Sequence, residues 1–164
     1  MLLKEGYEII VRPHPETIKR SPRLVNNLAV RFQGNPDFTL ERSVATDDSL
    51  MKSDILICDC SGVALEYAFG TERPVLFLDV PPKVKNKDFK ELGIEPLELL
   101  TRSKIGVIIP PEEVNTVPRA IKELKATQQK YKEAIVSLRE QYIYNFGTSS
   151  EVGAKYIMSL LDNI

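Results

Sequence analysis

Apolar and polar residues follow one another along this chain in blocks that predict short buried strands separated by helices. The stretch from Ser53 to Asp79 shows the pattern most completely. An isoleucine-rich apolar run, with its strand at 54–58, ends at Asp59, an amphipathic segment runs to Gly70, and a second apolar run ends at Asp79. Helical periodicity between two short apolar runs is typical of a strand-helix-strand unit. The rest of the chain is organised around this unit.

Strands and helices alternate through the rest of the chain as well. We expect further strands over Tyr7 to Val11, Phe38 to Leu40 and Ile105 to Ile109. We expect one helix to end at Gly6 and another to begin at Ser21-Pro22. Further helices are expected over Thr46 to Ser53, Pro96 to Leu100 and Glu151 to Leu161. A long helical stretch, with or without a break, is expected from Val114 to about Tyr142. This alternation is typical of a parallel sheet covered on both faces. It predicts one Rossmann-like three-layer α/β/α domain with a mostly parallel sheet over residues 1–164.

Composition narrows the classes of partner. Hydrophobic residues make up 43% of the chain and charged residues 27%, as in a globular domain. The 22 basic and 23 acidic side chains nearly cancel, so we expect no nucleic acid as partner. The sequence has neither an apolar run of membrane-spanning length nor a signal-peptide pattern at its start, and we expect a cytoplasmic protein.

The cysteines and the single histidine give no sign of a metal or cofactor. Cys58 and Cys60 lie too close along an extended strand to form a disulfide, and they do not make a CxxC pair. With one histidine in the chain, a zinc site lacks ligands. The GxGxxG pattern of dinucleotide-binding folds is also missing. We therefore expect reduced thiols, no metal and no bound cofactor.

Small polar residues mark the turn after the central strand. If the helix begins at Ser61, this side chain is its N-cap and the next amides lack partners inside the helix. Free amides and the positive end of the helix dipole bind anions, most often phosphate, and Gly62 leaves room for a ligand. The alternative is an ordinary N-cap on a crossover helix.

Two further strand and helix ends carry polar residues of the same kind. Arg12 and His14 project to one side where the first strand ends, and ligands bind at carboxyl ends of strands in open α/β sheets. Thr148 and Glu151 match a capping box at the start of the last helix, where amides and the hydroxyl of Ser149 can also meet a phosphate.

Three segments taken in order resemble the carboxyl-terminal donor-binding domain of the CDP-glycerol glycerophosphotransferases, enzymes of the GT-B fold that build teichoic-acid-type polymers. The segments are IIVRPHP, SDILICDCSGVALEYAFGTERPVLFLD and YNFGTSSEVGAKYI. The family typically has a strand ending in His-Pro, an Asp-Tyr-Ser-Ser turn followed by Val and an acidic-Tyr pair, and an aspartate-glycine loop before the last helix. Here the turn reads Asp59-Cys60-Ser61-Gly62, and the last loop lacks the aspartate.

The resemblance implies roles for these residues. His14 and Ser61 would contact the donor phosphate, with His14 as the catalytic residue. Glu66 would reach the ribose hydroxyls, and Thr148 and Ser149 would complete the phosphate site. In the family reaction an acceptor hydroxyl attacks the donor β-phosphate and releases CMP, which a protein assists by positioning groups and neutralising charge.

A complete GT-B enzyme has two Rossmann-like domains, and this chain resembles one of them. The resemblance therefore implies the donor-binding half of a longer enzyme, with an amino-terminal domain as its partner. The acceptor would be polyanionic or membrane-associated, which adds the inner face of the cell membrane as a location.

Two alternatives stay open. Ser61-Gly62, Glu66 and Pro74-Val75 also match the spacing in hydrolysing UDP-N-acetylglucosamine 2-epimerases, another GT-B family, so the donor can be a UDP-sugar of an epimerase or a glycosyltransferase. The other alternative is a non-enzymatic binding module that uses the loop 83–90. That loop has lysines at 83, 85, 87 and 90, with Phe89 among them and Leu92 just beyond.

Overall fold

The fold is seen in a computed structural model that describes residues 1–43, 45–81, 88, 91 and 93–162. Its strands are β1 (Ile9–Val11), β2 (Phe38–Leu40), β3 (Leu56–Cys58), β4 (Val75–Leu78) and β5 (Gly106–Ile109). Its helices are α1 (Pro15–Arg20), α2 (Pro22–Arg31), α3 (Asp48–Lys52), α4 (Val63–Thr71), α5 (Leu97–Ile105), α6 (Val117–Ala126), α7 (Gln128–Tyr142) and α8 (Ser149–Leu161). Turns of 3-10 helix cover Leu2–Glu5 and Pro111–Thr116. The order confirms the predicted α/β class.

Every strand pair is parallel, as predicted, but the hydrogen bonds form two sheets. β1 pairs with β2, while β3, β4 and β5 form a second sheet in that order. The one continuous sheet expected from the sequence is therefore split among the described residues. The strands are short, with three or four residues each.

The core is built around β4, the middle strand of the larger sheet. Val75, Leu76 and Phe77 are at most 1% exposed. Because side chains alternate along a strand, Val75 and Phe77 pack with residues of α4 and α7 on one face, whereas Leu76 packs with residues of α6 on the other. Helices thus cover both faces, which is compatible with the predicted Rossmann-like three-layer arrangement.

The passage from α5 into β5 depends on Gly106. α5 continues to Ile105 and the strand begins at the next residue, so the expected helix over Pro96 to Leu100 is too short and the expected strand starts one residue early. A β-carbon at Gly106 would lie 1.7 Å from the backbone oxygen of Val75. The close backbone approach permits only glycine there.

Other element boundaries differ from expectation for local reasons. The stretch from Val114 to about Tyr142, expected as a helix with or without a break, has the break: the chain leaves helical geometry at Thr127, between α6 and α7. α1 is not predicted from the sequence. Its six residues begin with Pro15 and are capped by the side chain of His14, a residue type that is not among the common N-caps.

Candidate functional site

The turn between β3 and α4 opens at the carboxyl end of the larger sheet. Gly62 is the N-cap of α4, so the prediction that Ser61 caps the helix is wrong by one residue. Gly62 already has helical backbone angles, and its carbonyl accepts hydrogen bonds from the amides of Leu65 and Glu66, 3.0 and 3.2 Å away. In the part of the chain that the structure describes, no side chain is therefore bonded to the first amides of this helix.

This helix start has unused hydrogen-bonding groups. Among the described residues, the hydroxyl of Ser61 and the amides of Gly62 and Val63 have no hydrogen-bond partner. A β-carbon at Gly62 would meet no atom of the described residues within 4 Å, so the described chain leaves the space beside the turn open. Glu66 lies exposed on the first turn of α4, also without a partner in the described chain. An approaching anion would meet donors here that the fold does not use.

Arg102 reaches the same edge of the sheet from α5, and the sequence gives no sign of it. Its side chain is only 9% exposed, with the guanidinium 5.2 Å from the centre of the Phe77 ring. Nη1 donates a hydrogen bond of 3.0 Å to Oδ1 of Asp79, directly after β4. Nε and Nη2 are buried and have no hydrogen-bond partner among the described residues. Asp79 is 23 residues away in the sequence, so no local pattern reveals the pair.

The two thiols near this arginine are partly buried, and the pKa of each is raised. Burial, aided by the carboxylate of Asp59, raises the pKa of Cys58 to about 12, although the positive charge of Arg102 opposes the rise. Burial also raises the pKa of Cys60, again against Arg102. The guanidinium is therefore within electrostatic range of the residues that lead into the turn. Neither Cys58 nor Cys60 takes part in a disulfide in this structure.

The polar pair after β1 makes structural contacts, although the buried Nε of Arg12 has no hydrogen-bond partner among the described residues. Arg12 donates to the carbonyl of Thr46 and lies 3.8 Å from a carboxylate oxygen of Glu41. His14 caps α1, where its Nδ1 accepts the amide hydrogen of Glu16 at 3.1 Å. An accepting Nδ1 carries no proton, so this contact requires the neutral imidazole with its proton on Nε2. The Nε2 proton is the group His14 can offer a ligand.

The start of α8 differs from the capping box that was predicted. Thr148 is the N-cap, but its side chain does not cap the helix. Its hydroxyl donates to the carbonyl of Asn145 at 3.3 Å, and the Ser149 hydroxyl donates to the same carbonyl at 2.8 Å. Glu151 instead pairs with Lys155 at 2.6 Å, one helical turn along. Both hydroxyls are therefore already engaged within the preceding turn.

The predicted site residues form three separate groups. No hydrogen bond or ion pair between described residues joins 12–14, 61–66 and 148–149 to one another. The ligand roles of these residues remain predictions. The lysine-bearing loop 83–90, with Leu92, lies outside the described residues apart from Asp88.

Two open grooves of about 410 and 300 Å³ lie elsewhere, along α6 and α7, and share Lys130 and Tyr131. The larger also contacts the last turn of α5, at the amino end of β5. They are thus at the edge of the sheet opposite Asp79.

The described part of the chain contains neither a metal-binding cluster nor a membrane-spanning helix. Within it, no group of three His, Cys, Asp or Glu side chains is placed to hold a metal ion. None of the helices described has the length and apolar character needed to cross a membrane.

Comparison of the chain with family models, curated proteins and solved structures gives no match. The function must therefore be argued from the residues and from the geometry of the site.

Proposed function

We propose that this chain is the donor-binding domain of a CDP-glycerol glycerophosphotransferase-like enzyme, which transfers glycerol phosphate from CDP-glycerol to a polymer hydroxyl. The observation that carries the proposal is the uncapped start of α4 at the carboxyl end of β3. There the Ser61 hydroxyl and the amides of Gly62 and Val63 have no partner among the described residues.

The physical argument rests on what such a helix end binds. Unpaired amides and the positive end of the helix dipole favour a negative group, and the dipole effect is about 0.3–1 kcal/mol per charge. A diphosphate carries two negative groups and can span the turn. The carboxyl edge of a parallel sheet is also where open α/β folds bind their ligands. Both arguments support a nucleoside-diphosphate donor at Ser61 and Gly62.

Glu66 supports the nucleotide part of the proposal, and it is compatible with a second nucleotide substrate as well. It is exposed one turn into α4 and has no described partner, so its carboxylate is free to accept hydrogen bonds from ribose hydroxyls. A UDP-sugar offers the same hydroxyls. We therefore propose a UDP-N-acetylglucosamine 2-epimerase-like or glycosyltransferase-like domain as the second candidate.

Calorimetric titration with CDP-glycerol, UDP-N-acetylglucosamine, CDP and UDP tests both candidates. We expect CDP-glycerol and CDP to bind, and Ser61→Ala to weaken that binding by about 10- to 150-fold because a hydrogen bond to a charged group is lost. Ser103→Ala is the matched control, since Ser103 is exposed near the opposite edge of the sheet. Selective binding of the UDP ligands would favour the second candidate. Absence of binding by all four ligands would overturn nucleotide binding altogether.

A further inference from the structure

The fold alone does not explain why Arg102 is buried with unpaired nitrogens. Burying a charged donor without a hydrogen-bond partner is costly, and native structures rarely keep such groups without a reason. Arg102 has two unpartnered nitrogens, Nε and Nη2, among the described residues, while its third nitrogen, Nη1, holds Asp79. A guanidinium presents its Nε and Nη2 donors side by side, in the geometry that fits two oxygens of one anion.

Arg102 reaches the same carboxyl edge of the sheet as the turn before α4. Because side chains on a helix point towards its amino terminus, Arg102 extends from α5 towards the carboxyl edge of the sheet, where it meets Asp79. Phe77 supports one side of the guanidinium. The charge of Arg102 is also felt by the thiol of Cys60, two residues before the N-cap Gly62. The unpaired amides at the start of α4 and the unpaired nitrogens of Arg102 therefore lie at the same edge of the sheet.

We propose that Arg102 binds the diphosphate of the ligand, with Nε and Nη2 donating to phosphate oxygens next to the amino terminus of α4. The identity of the ligand, a nucleoside diphosphate, rests on the proposed function, whereas the preference for an oxyanion rests on Arg102 itself. Asp79 holds Nη1 and leaves the other edge for the ligand. Both nitrogens are buried, so the guanidinium or its neighbours must move for the anion to reach them.

Nearby carboxylates repel an anion, but their repulsion does not outweigh the attraction of the Arg102 guanidinium. The carboxylates of Asp59, Asp79 and Glu98 are all within electrostatic range of Cys60. Asp79 is paired with Arg102. Asp59 and Glu98 are more accessible to solvent than Arg102, so water and salt screen their repulsion, while hydrogen bonds to the buried guanidinium are strengthened by its surroundings.

Inorganic pyrophosphate and CDP are the two probes that test the proposal by calorimetry. We expect Arg102→Gln to lower the affinity for both by about tenfold or more, as for a lost charge-assisted hydrogen bond. Arg119→Gln is the matched control, because it removes the same charge from an exposed arginine of α6. Its affinities should equal those of the parent chain.

A measurement on the unmutated chain removes the dependence on how well the variant folds. The Nε–Hε signal of Arg102, assigned by through-bond NMR experiments, should shift during a pyrophosphate titration, and that of Arg119 should not. An unchanged Arg102 signal while pyrophosphate binds would overturn the proposal.

The outcomes separate this inference from the proposed function. If CDP binds equally to the parent chain and to Arg102→Gln, Arg102 has no ligand role and the proposed function still stands. If pyrophosphate binding depends on Arg102 but CDP and UDP bind no more tightly than pyrophosphate, the oxyanion site stands and the nucleotide function fails. If neither probe binds the parent chain, both are overturned.

Discussion

Arg102 and Asp79 form a one-sided ion pair, in which Nη1 lies 3.0 Å from Oδ1 while the arginine is buried and the aspartate is half exposed. The pair joins α5 to the residue that follows β4. Because the aspartate uses only one of the three guanidinium nitrogens, the contact stabilises the fold and still leaves donors for another partner.

Removing the aspartate charge should destabilise the domain. We expect Asp79→Asn to lower the free energy of unfolding by about 1–2 kcal/mol, less than for a fully buried pair, because Asp79 is partly solvated. Urea unfolding measures the change. Asp59→Asn is the control: Asp59 is exposed and has no hydrogen bond or ion pair among the described residues, so about 0.5 kcal/mol or less is expected. Equal unfolding midpoints for the two variants would show that the Arg102 contact does not matter for stability.

The sequence predicts those elements of the fold that depend on residues close to one another in the chain. The strand-helix-strand unit from Ser53 to Asp79 follows from its hydrophobic pattern, and β3, α4 and β4 appear in it in the expected order. The helix end at Gly6 likewise follows from the chain, since glycine adopts its φ of 81° without strain.

What the sequence does not predict depends on contacts between distant residues. The buried position of Arg102 arises from Phe77 and Asp79 on another element. The break between the two sheets depends on tertiary packing, which leaves no local pattern. The shift of the α4 N-cap from Ser61 to Gly62 is a difference of one residue, and patterns rarely define helix ends more closely.

The close approach of Gly106 to Val75 gives a strong test of the central sheet. In Gly106→Ala the new β-carbon would lie 1.7 Å from the Val75 oxygen, so β4 and β5 would have to separate. We expect a loss of about 3 kcal/mol or more in the free energy of unfolding, measured by thermal and urea unfolding.

Gly153→Ala provides the matched control for Gly106→Ala. Gly153 is exposed within α8, and an added β-carbon there meets nothing within 4 Å. Alanine should stabilise this position by about 0.5–1 kcal/mol, because glycine loses more backbone entropy in a helix. A Gly106→Ala variant as stable as Gly153→Ala would contradict the described pairing of β4 with β5.

The two roles of His14 can be separated by the choice of substituent. His14→Ala removes the acceptor for the Glu16 amide and should cost about 1 kcal/mol of stability. His14→Asn keeps a good capping side chain, so its stability should stay within about 0.5 kcal/mol of the parent while the imidazole is lost. We expect both variants to bind CDP more weakly. If His14→Asn binds CDP as tightly as the parent, His14 serves only as a cap.

The pair of Asp54 and Lys125 predicts how stability depends on pH. Their side chains lie 2.8 Å apart, and the hydrogen bond lowers the pKa of Asp54 and raises that of Lys125. The carboxylate therefore stabilises the fold above its ordinary pKa of about 3.9, and this contribution is lost as pH falls through the lowered value. The ammonium stabilises the fold below a pH of about 10.4 and loses this contribution as pH rises through the raised pKa.

Both side chains are largely exposed, so Asp54→Asn should cost only about 0.2–1 kcal/mol at pH 7 in urea unfolding. The difference from the parent should shrink towards both extremes of pH. Lys125→Gln should cost the same, and the double variant no more than either single one. A cost for Asp54→Asn that persists unchanged at pH 2 would show that the carboxylate charge is not its cause.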